Sequence, residues 1–209
     1  MKKRFPRFYF SFRSPYSWLA SRLLKDKYGL DHTRLEYIPS WEPDEITLQL
    51  LKERGGKVLY PSMSREKHLY ILQDIKRMAS HLGYSMTWPV DHQPWWELPN
   101  LAYLAARQQG RGREFFWSVY RARWEEGRDI CSPEIIRALA KELDFDPDTI
   151  ISAPENPALR QEGAEALLRC YRDGVFGVPF FILGYEKFWG VDRVDMFVAA
   201  LNRSTPAAE

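Results

Sequence analysis

"FYFSFRSPYSWLA", residues 8–20, decides how this chain is read. Its first half alternates aromatic rings with other side chains. Phe8, Phe10 and Phe12 therefore share one face of a strand predicted over 7–13. Ser14 is the residue type of a helix N-cap, and Pro15 that of a first helical residue. Trp18, Leu19, Leu23 and Leu24 form one apolar stripe of the helix that follows, and Gly29 stops it. At the junction, Ser14-Pro15-Tyr16-Ser17 has the outline of a redox motif, with serines where two cysteines would stand.

A helix start carries unpaired backbone N–H groups and the positive end of the helix dipole, which is why a thiolate is stabilised there. A serine hydroxyl titrates far above neutral, so the dipole does not make it a nucleophile. No G-x-S-x-G elbow occurs, and no motif ties a histidine to Ser14. Two readings remain: a plain N-cap, or an O–H donor aimed at an anion brought by another molecule.

Working outward, "TRLEYIP" at 33–39 is a second strand, and strand–helix–strand makes a parallel βαβ unit. Near the other end, "PFFIL" at 179–183 and "EKFW" at 186–189 flank a Gly184-Tyr185 turn and read as a hairpin. "GVDRVDMFVAALNR" at 190–203 is a closing helix with Val194, Phe197, Val198 and Leu201 on one face, and "STPAAE" is a frayed tail. Between these flanks, helices are predicted over 43–54, 64–83, 97–109, 112–127, 132–143 and 155–173. Ser64 and Ser132 are their caps, and Gly83, Gly110, Gly127 and Gly174 their stops. "TWPVDHQPWWELP" at 87–99 and "FDPD" at 145–148 are linkers. Neither flank alone buries enough surface. The expected organisation is one discontinuous α/β domain, residues 1–41 and 174–209, with a helical insertion at 42–173.

Composition narrows the function classes. The chain has 209 residues, 45% apolar and 28% charged, with a formal net charge of +2. Lys2, Lys3, Arg4 and Arg7 read as a solvated end, since a nucleic-acid binder needs a denser basic stripe. No apolar run approaches a membrane span, and no secretory h-region is present. Cys131 and Cys170 match no metal or redox spacing and read as two reduced thiols in helices, which fits a cytoplasmic protein. His81, Asp91 and His92 make only a sparse metal-ligand pattern. Trp88, Trp95 and Trp96 either cover a flat aromatic substrate or pin their loop to the helices.

Two further stretches carry chemistry. In "GVFGVPFF", 174–181, Val178-Pro179 opens a strand. A cis bond there would turn the Val178 backbone outward, able to pair with an extended peptide. In "FWGVDR", 188–193, Asp192 and Arg193 begin the last helix, as a cap or as a pair able to hold an amino acid's ammonium and carboxylate.

Taken together, "FYFSFRSPYSWLA", "CYRDGVFGVPFF", "FWGVDR" and "REKHLYILQDIKR" (65–77) resemble the DsbA-like group, a thioredoxin-like fold with a helical insertion. Within that group they resemble kappa-class glutathione transferases and 2-hydroxychromene-2-carboxylate isomerases. The resemblance implies that the reactive sulfur belongs to bound glutathione and that Ser14 donates a hydrogen bond to it. It implies that Val178 pairs by backbone with the cysteinyl part, that Asp192 and Arg193 hold the γ-glutamyl end, and that Lys67 reaches a carboxylate of the tripeptide. It further implies a homodimer acting on a small aromatic acid. In that mechanism a glutathione thiolate adds to an unsaturated carbon, the ring opens, a bond rotates and the thiolate leaves. A transferase that conjugates electrophiles, and a binding relative that has lost glutathione, are the alternatives. The chain departs from the family pattern at Ser11, where Asp is usual, at Gly56, where an Asn contacts glutathione, and at Val191, where a small polar residue is usual. Two lost hydrogen bonds of ~1 kcal/mol each weaken affinity roughly thirtyfold. Neither cysteine lies at the helix start, so thiol–disulfide exchange has no nucleophile there.

Overall fold

The computed structural model describes residues 5–61 and 63–204. Lys2, Lys3, Arg4 and the tail beyond Ser204 lie outside the described residues. Four short strands, β1 (Arg7–Phe10), β2 (Glu36–Pro39), β3 (Phe180–Leu183) and β4 (Glu186–Trp189), form one sheet in the order β2-β1-β3-β4. β1 runs parallel to β2, antiparallel pairing joins β1 to β3 and β3 to β4, and Tyr9 stands opposite Phe180. The βαβ and ββα halves thus meet in one sheet, as the sequence predicts.

Helix α1 (Pro15–Arg22) connects β1 to β2 and continues into a π-type turn, Leu23–Lys27. The helical block comprises α2 (Glu45–Glu53), α3 (Arg65–His81), α4 (Glu97–Gln108), α5 (Gly112–Tyr120), α6 (Pro133–Glu142), α7 (Pro147–Ile151) and α8 (Pro157–Asp173). A 3-10 turn, Val191–Arg193, leads into α9 (Val194–Ser204). "FDPD" is not a linker: the Asp146 carboxylate accepts the N–H groups of Asp148 and Thr149, so Pro147 opens α7. Ser64 caps α3 as expected, whereas the Ser132 hydroxyl pairs with Glu134 instead of the helix backbone.

β1 is shorter than predicted, and both of its faces are covered. Phe10 and Phe12 enter an aromatic cluster with Tyr103, Phe116 and Tyr120 of the helical block, and Phe8 joins it through Phe10 and Tyr37. Phe8 also stacks on Phe181 at 4.8 Å, and Phe181 stacks on Phe197 of α9. Side chains alternate along a strand, so Tyr9 points the other way, where its hydroxyl reaches Asp173 at the end of α8. Arg7 joins the same carboxylate and is buried; it is not part of a solvated end. Cys131 sits in the turn before α6 rather than in a helix, and Cys170 lies in α8. Both thiols are free and buried, and burial pushes each up to about 12.

Candidate functional site

The site begins where β1 stops. The Ser11 N–H turns away from the sheet and donates to the Ser17 hydroxyl oxygen at 3.3 Å, which ends the strand. The Ser11 carbonyl accepts the Ser14 N–H and the Tyr120 hydroxyl, each at 3.0 Å. The next carbonyl, Phe12, accepts Trp124 Nε1 at 3.0 Å. The loop presenting Ser14 is therefore fixed from within and from α5 and its continuation, Arg121–Glu125.

The two serines of the motif part company. Ser17 is fully buried and serves the fold. Ser14 is half-buried, with extended backbone (φ −90°, ψ 115°), and its oxygen accepts the Ser17 N–H at 3.1 Å. A hydroxyl that accepts through a lone pair keeps its proton to give, and no described residue takes it. Ser14 is therefore an N-cap, and its O–H at the positive end of α1 has no acceptor among the described residues.

Tyr16 donates to Asp74 of α3 at 2.7 Å, and Tyr70 donates to the same carboxylate. Burial and that carboxylate push the Tyr16 phenol upward, so it stays protonated and tethers α3 to α1. Lys67, on the first turn of α3, is exposed, makes no ion pair with a described residue, and lies 6.0 Å from the Tyr60 ring.

The Val178-Pro179 bond is cis. The Tyr9–Phe180 register sets Pro179 beside Phe10, so Val178 lies next to the end of β1 and the loop of Ser14. No described backbone group pairs with the N–H or C=O of Val178. The Pro179 carbonyl accepts the Gly190 N–H at 3.0 Å, drawing the 190–193 turn against the same edge. Gly190 has φ +103°, and a Cβ there would stand 2.5 Å from an Asp192 carboxylate oxygen, so glycine is required. Asp192 and Arg193 are exposed and pair with each other at 2.7 Å. Asp192 also borders a groove of about 430 Å³ with Leu23, Lys27, Arg77 and His81; Ser14, Lys67, Val178 and Arg193 do not line it. The sheet thus brings Ser14, Val178 and the Asp192 turn together, while Lys67 stands apart on α3.

The departures have physical causes. Gly56 faces inward, where a Cβ would come within 2.3 Å of Leu51 and 2.9 Å of Leu168. Val191 is buried in the core. The Ser11 hydroxyl accepts the Arg13 N–H at 3.3 Å and braces the turn. The metal pattern disperses: Asp91 is held by Arg123 at 2.8 and 2.9 Å, and no metal-ligating trio converges among the described residues. The tryptophans pin their loop: Trp88 packs on Trp124, Trp95 donates to Asp44, and Trp96 is buried.

Four residues near the site carried no role in the sequence reading: Arg13, Tyr60, Asp74 and Tyr120. Arg13 had a signal, since a cation stood directly before Ser14. Tyr120 and Trp124, four apart, mark one helix face but do not name what it touches.

The DsbA-like thioredoxin domain model matches residues 7–202. A 2-hydroxychromene-2-carboxylate isomerase of Sphingobium xenophagum is 30% identical over 199 residues, covering 93% of this chain and 96% of its own. Human glutathione S-transferase kappa 1 is 23% identical over 207 residues, covering 90% and 87%. A solved 2-hydroxychromene-2-carboxylate isomerase superposes with a TM-score of 0.75 at 25% identity, over 95% of this chain and 94% of that one. With its serine at the start of α1 and its cis-proline strand, the chain belongs to the DsbA-like thioredoxin family, in the branch of the 2-hydroxychromene-2-carboxylate isomerases.

Proposed function

We propose that the protein is a glutathione-dependent isomerase of the 2-hydroxychromene-2-carboxylate isomerase type, acting on an aromatic or unsaturated acid. The observation that carries this reading is the uncommitted Ser14 O–H at the start of α1, beside the unpaired backbone of Val178. Those groups suit a cysteinyl residue lying along the strand edge with its sulfur at the helix end. Bound glutathione would supply a thiol able to add reversibly to an unsaturated carbon. Ser14 donates its O–H toward the sulfur, and the α1 dipole favours its anionic form. Val178 offers one N–H and one C=O to the cysteinyl unit. Asp192 and Arg193, opposite in charge and both exposed, take the ammonium and carboxylate of the γ-glutamyl end. Lys67 supplies a point charge for a further carboxylate. Gly56 and Val191 contribute no polar side chain, so backbone contacts carry more of the affinity.

The name of the kappa-class relative favours a second reading, conjugation of glutathione to electrophiles. Gly56 and Val191 favour a third, a binding protein without glutathione. Parallel assays with a chromene carboxylate and a chloronitrobenzene separate the first two. Calorimetric titration with glutathione decides the third: micromolar binding removes it, and absent or millimolar binding removes the isomerase reading. A cytoplasmic homodimer completes the proposal; the two free, buried thiols suit the compartment, and sedimentation tests the assembly.

A further inference from the structure

Arg13 stands directly before Ser14 and is exposed, its side chain 58% accessible. Its guanidinium lies over the buried Trp96 ring, 5.4 Å from the centroid. One of its nitrogens donates to Glu42 at 3.1 Å, and Glu42 is itself 76% accessible. The rest of the fork makes no hydrogen bond among the described residues. Its charge also reaches Tyr60, whose phenol burial pushes up and Arg13 pulls down. Lys67 approaches the same ring from α3. The residue before Ser14 thus carries a cation held over a fixed indole and near a phenol that Lys67 also approaches.

We propose that Arg13 is the receptor for the carboxylate of the aromatic substrate, with the exposed Tyr60 beside its rings. The substrate class rests on the isomerase reading above; the carboxylate site itself rests on the geometry. Arginine matches a carboxylate in two parallel hydrogen bonds, and Trp96 holds the guanidinium plane by cation–π contact. Glu42 shows where a carboxylate oxygen sits. An exposed ion pair of this kind contributes little, so an incoming acid displaces Glu42 readily. The position fits the chemistry: an acid gripped by residue 13 holds its unsaturated ring beside residue 14.

The test is calorimetric titration of the full chain with 2-naphthoate and with neutral 2-naphthamide, in wild type, Arg13→Leu and Arg13→Lys. Wild type should bind the acid at least ~10-fold more tightly than the amide, the range expected of a charge-assisted pair. Arg13→Leu should abolish that preference and Arg13→Lys should keep part of it, with glutathione affinity the same in all three. Equal or undetectable binding of acid and amide by wild type overturns the proposal. So does an undiminished preference in Arg13→Leu, or a parallel fall in glutathione affinity, which would assign Arg13 to the tripeptide. If wild type prefers the acid through Arg13 yet binds no glutathione, the carboxylate site stands and the glutathione reading fails.

Discussion

The Tyr120 hydroxyl donates to the Ser11 carbonyl across 109 residues of chain, at 3.0 Å. That oxygen also accepts the Ser14 N–H, so a residue of the helical block and the site serine hang on one atom. Tyr120→Phe keeps the ring packing against Phe10, Phe12 and Phe116 and removes only the donor. The carbonyl retains one partner, so the expected cost is about 1 kcal/mol, or roughly 2–4 °C in melting temperature. The Ser14 loop loses a brace, so KM for glutathione should rise. An unchanged melting temperature and KM would mean the phenol does not hold the loop.

Ser14 and Ser17 should separate cleanly by substitution. Ser14→Ala removes the cap and the unspent O–H. We expect about 1 kcal/mol of lost stability, a raised pKa of bound glutathione read by thiolate absorbance, and slower turnover. Ser17→Ala leaves the Ser11 N–H without its partner and should cost about 1–3 kcal/mol, while the thiol pKa stays put. A shifted thiol pKa in Ser17→Ala, or none in Ser14→Ala, would reverse these assignments.

That separation marks what the sequence could and could not say. Ser14-Pro15 reads as cap and first helical residue because both preferences are local. Val178-Pro179 and Gly184-Tyr185 likewise announce a strand start and a turn. The strand's early end at Phe10 was not legible, since it depends on a buried hydroxyl six residues on. Nor was the full burial of Tyr9, because alternation in β1 distinguishes two faces but does not show that α8 covers the second. Tyr120 and Trp124 act over distances of 109 and 112 residues, which no periodicity encodes. In "FDPD", Pro147 reads as punctuation by itself, but Asp146 before it makes the pair a helix start.

Gly56 gives a third expectation. Restoring the family's side chain by Gly56→Asn should not restore a glutathione contact, because the Cα faces Leu51 and Leu168 rather than the site. Overpacking of this kind costs typically about 1–3 kcal/mol, and a buried amide adds to it. Chemical denaturation should show the loss, and calorimetry should show no gain in affinity. Tighter glutathione binding at undiminished stability would mean that this loop turns outward.

The last expectation concerns acid. His32 stacks on Tyr37 with ring centroids 3.6 Å apart and meets the edge of Phe116 at 4.9 Å. Neither ring nitrogen has a hydrogen-bond partner among the described residues. Burial, helped by the charge of Arg113, lowers the imidazole from 6.5 to about 4 in the folded chain. Between those values the unfolded chain binds a proton that the folded chain refuses, so stability rises with pH across this window. The contribution is complete above the unfolded value and is lost as pH falls from there through the folded one. Its size is on the order of 3 kcal/mol at most, by the conversion of pKa to free energy. His32→Phe preserves an aromatic ring against Tyr37 and cannot titrate. Urea midpoints at neutral and mildly acidic pH should therefore fall more steeply in wild type than in the variant. The gap between the two should open by about 2–3 kcal/mol as the folded imidazole's pKa is approached. Parallel curves would mean that His32 takes up its proton as readily in the folded chain as in the unfolded one.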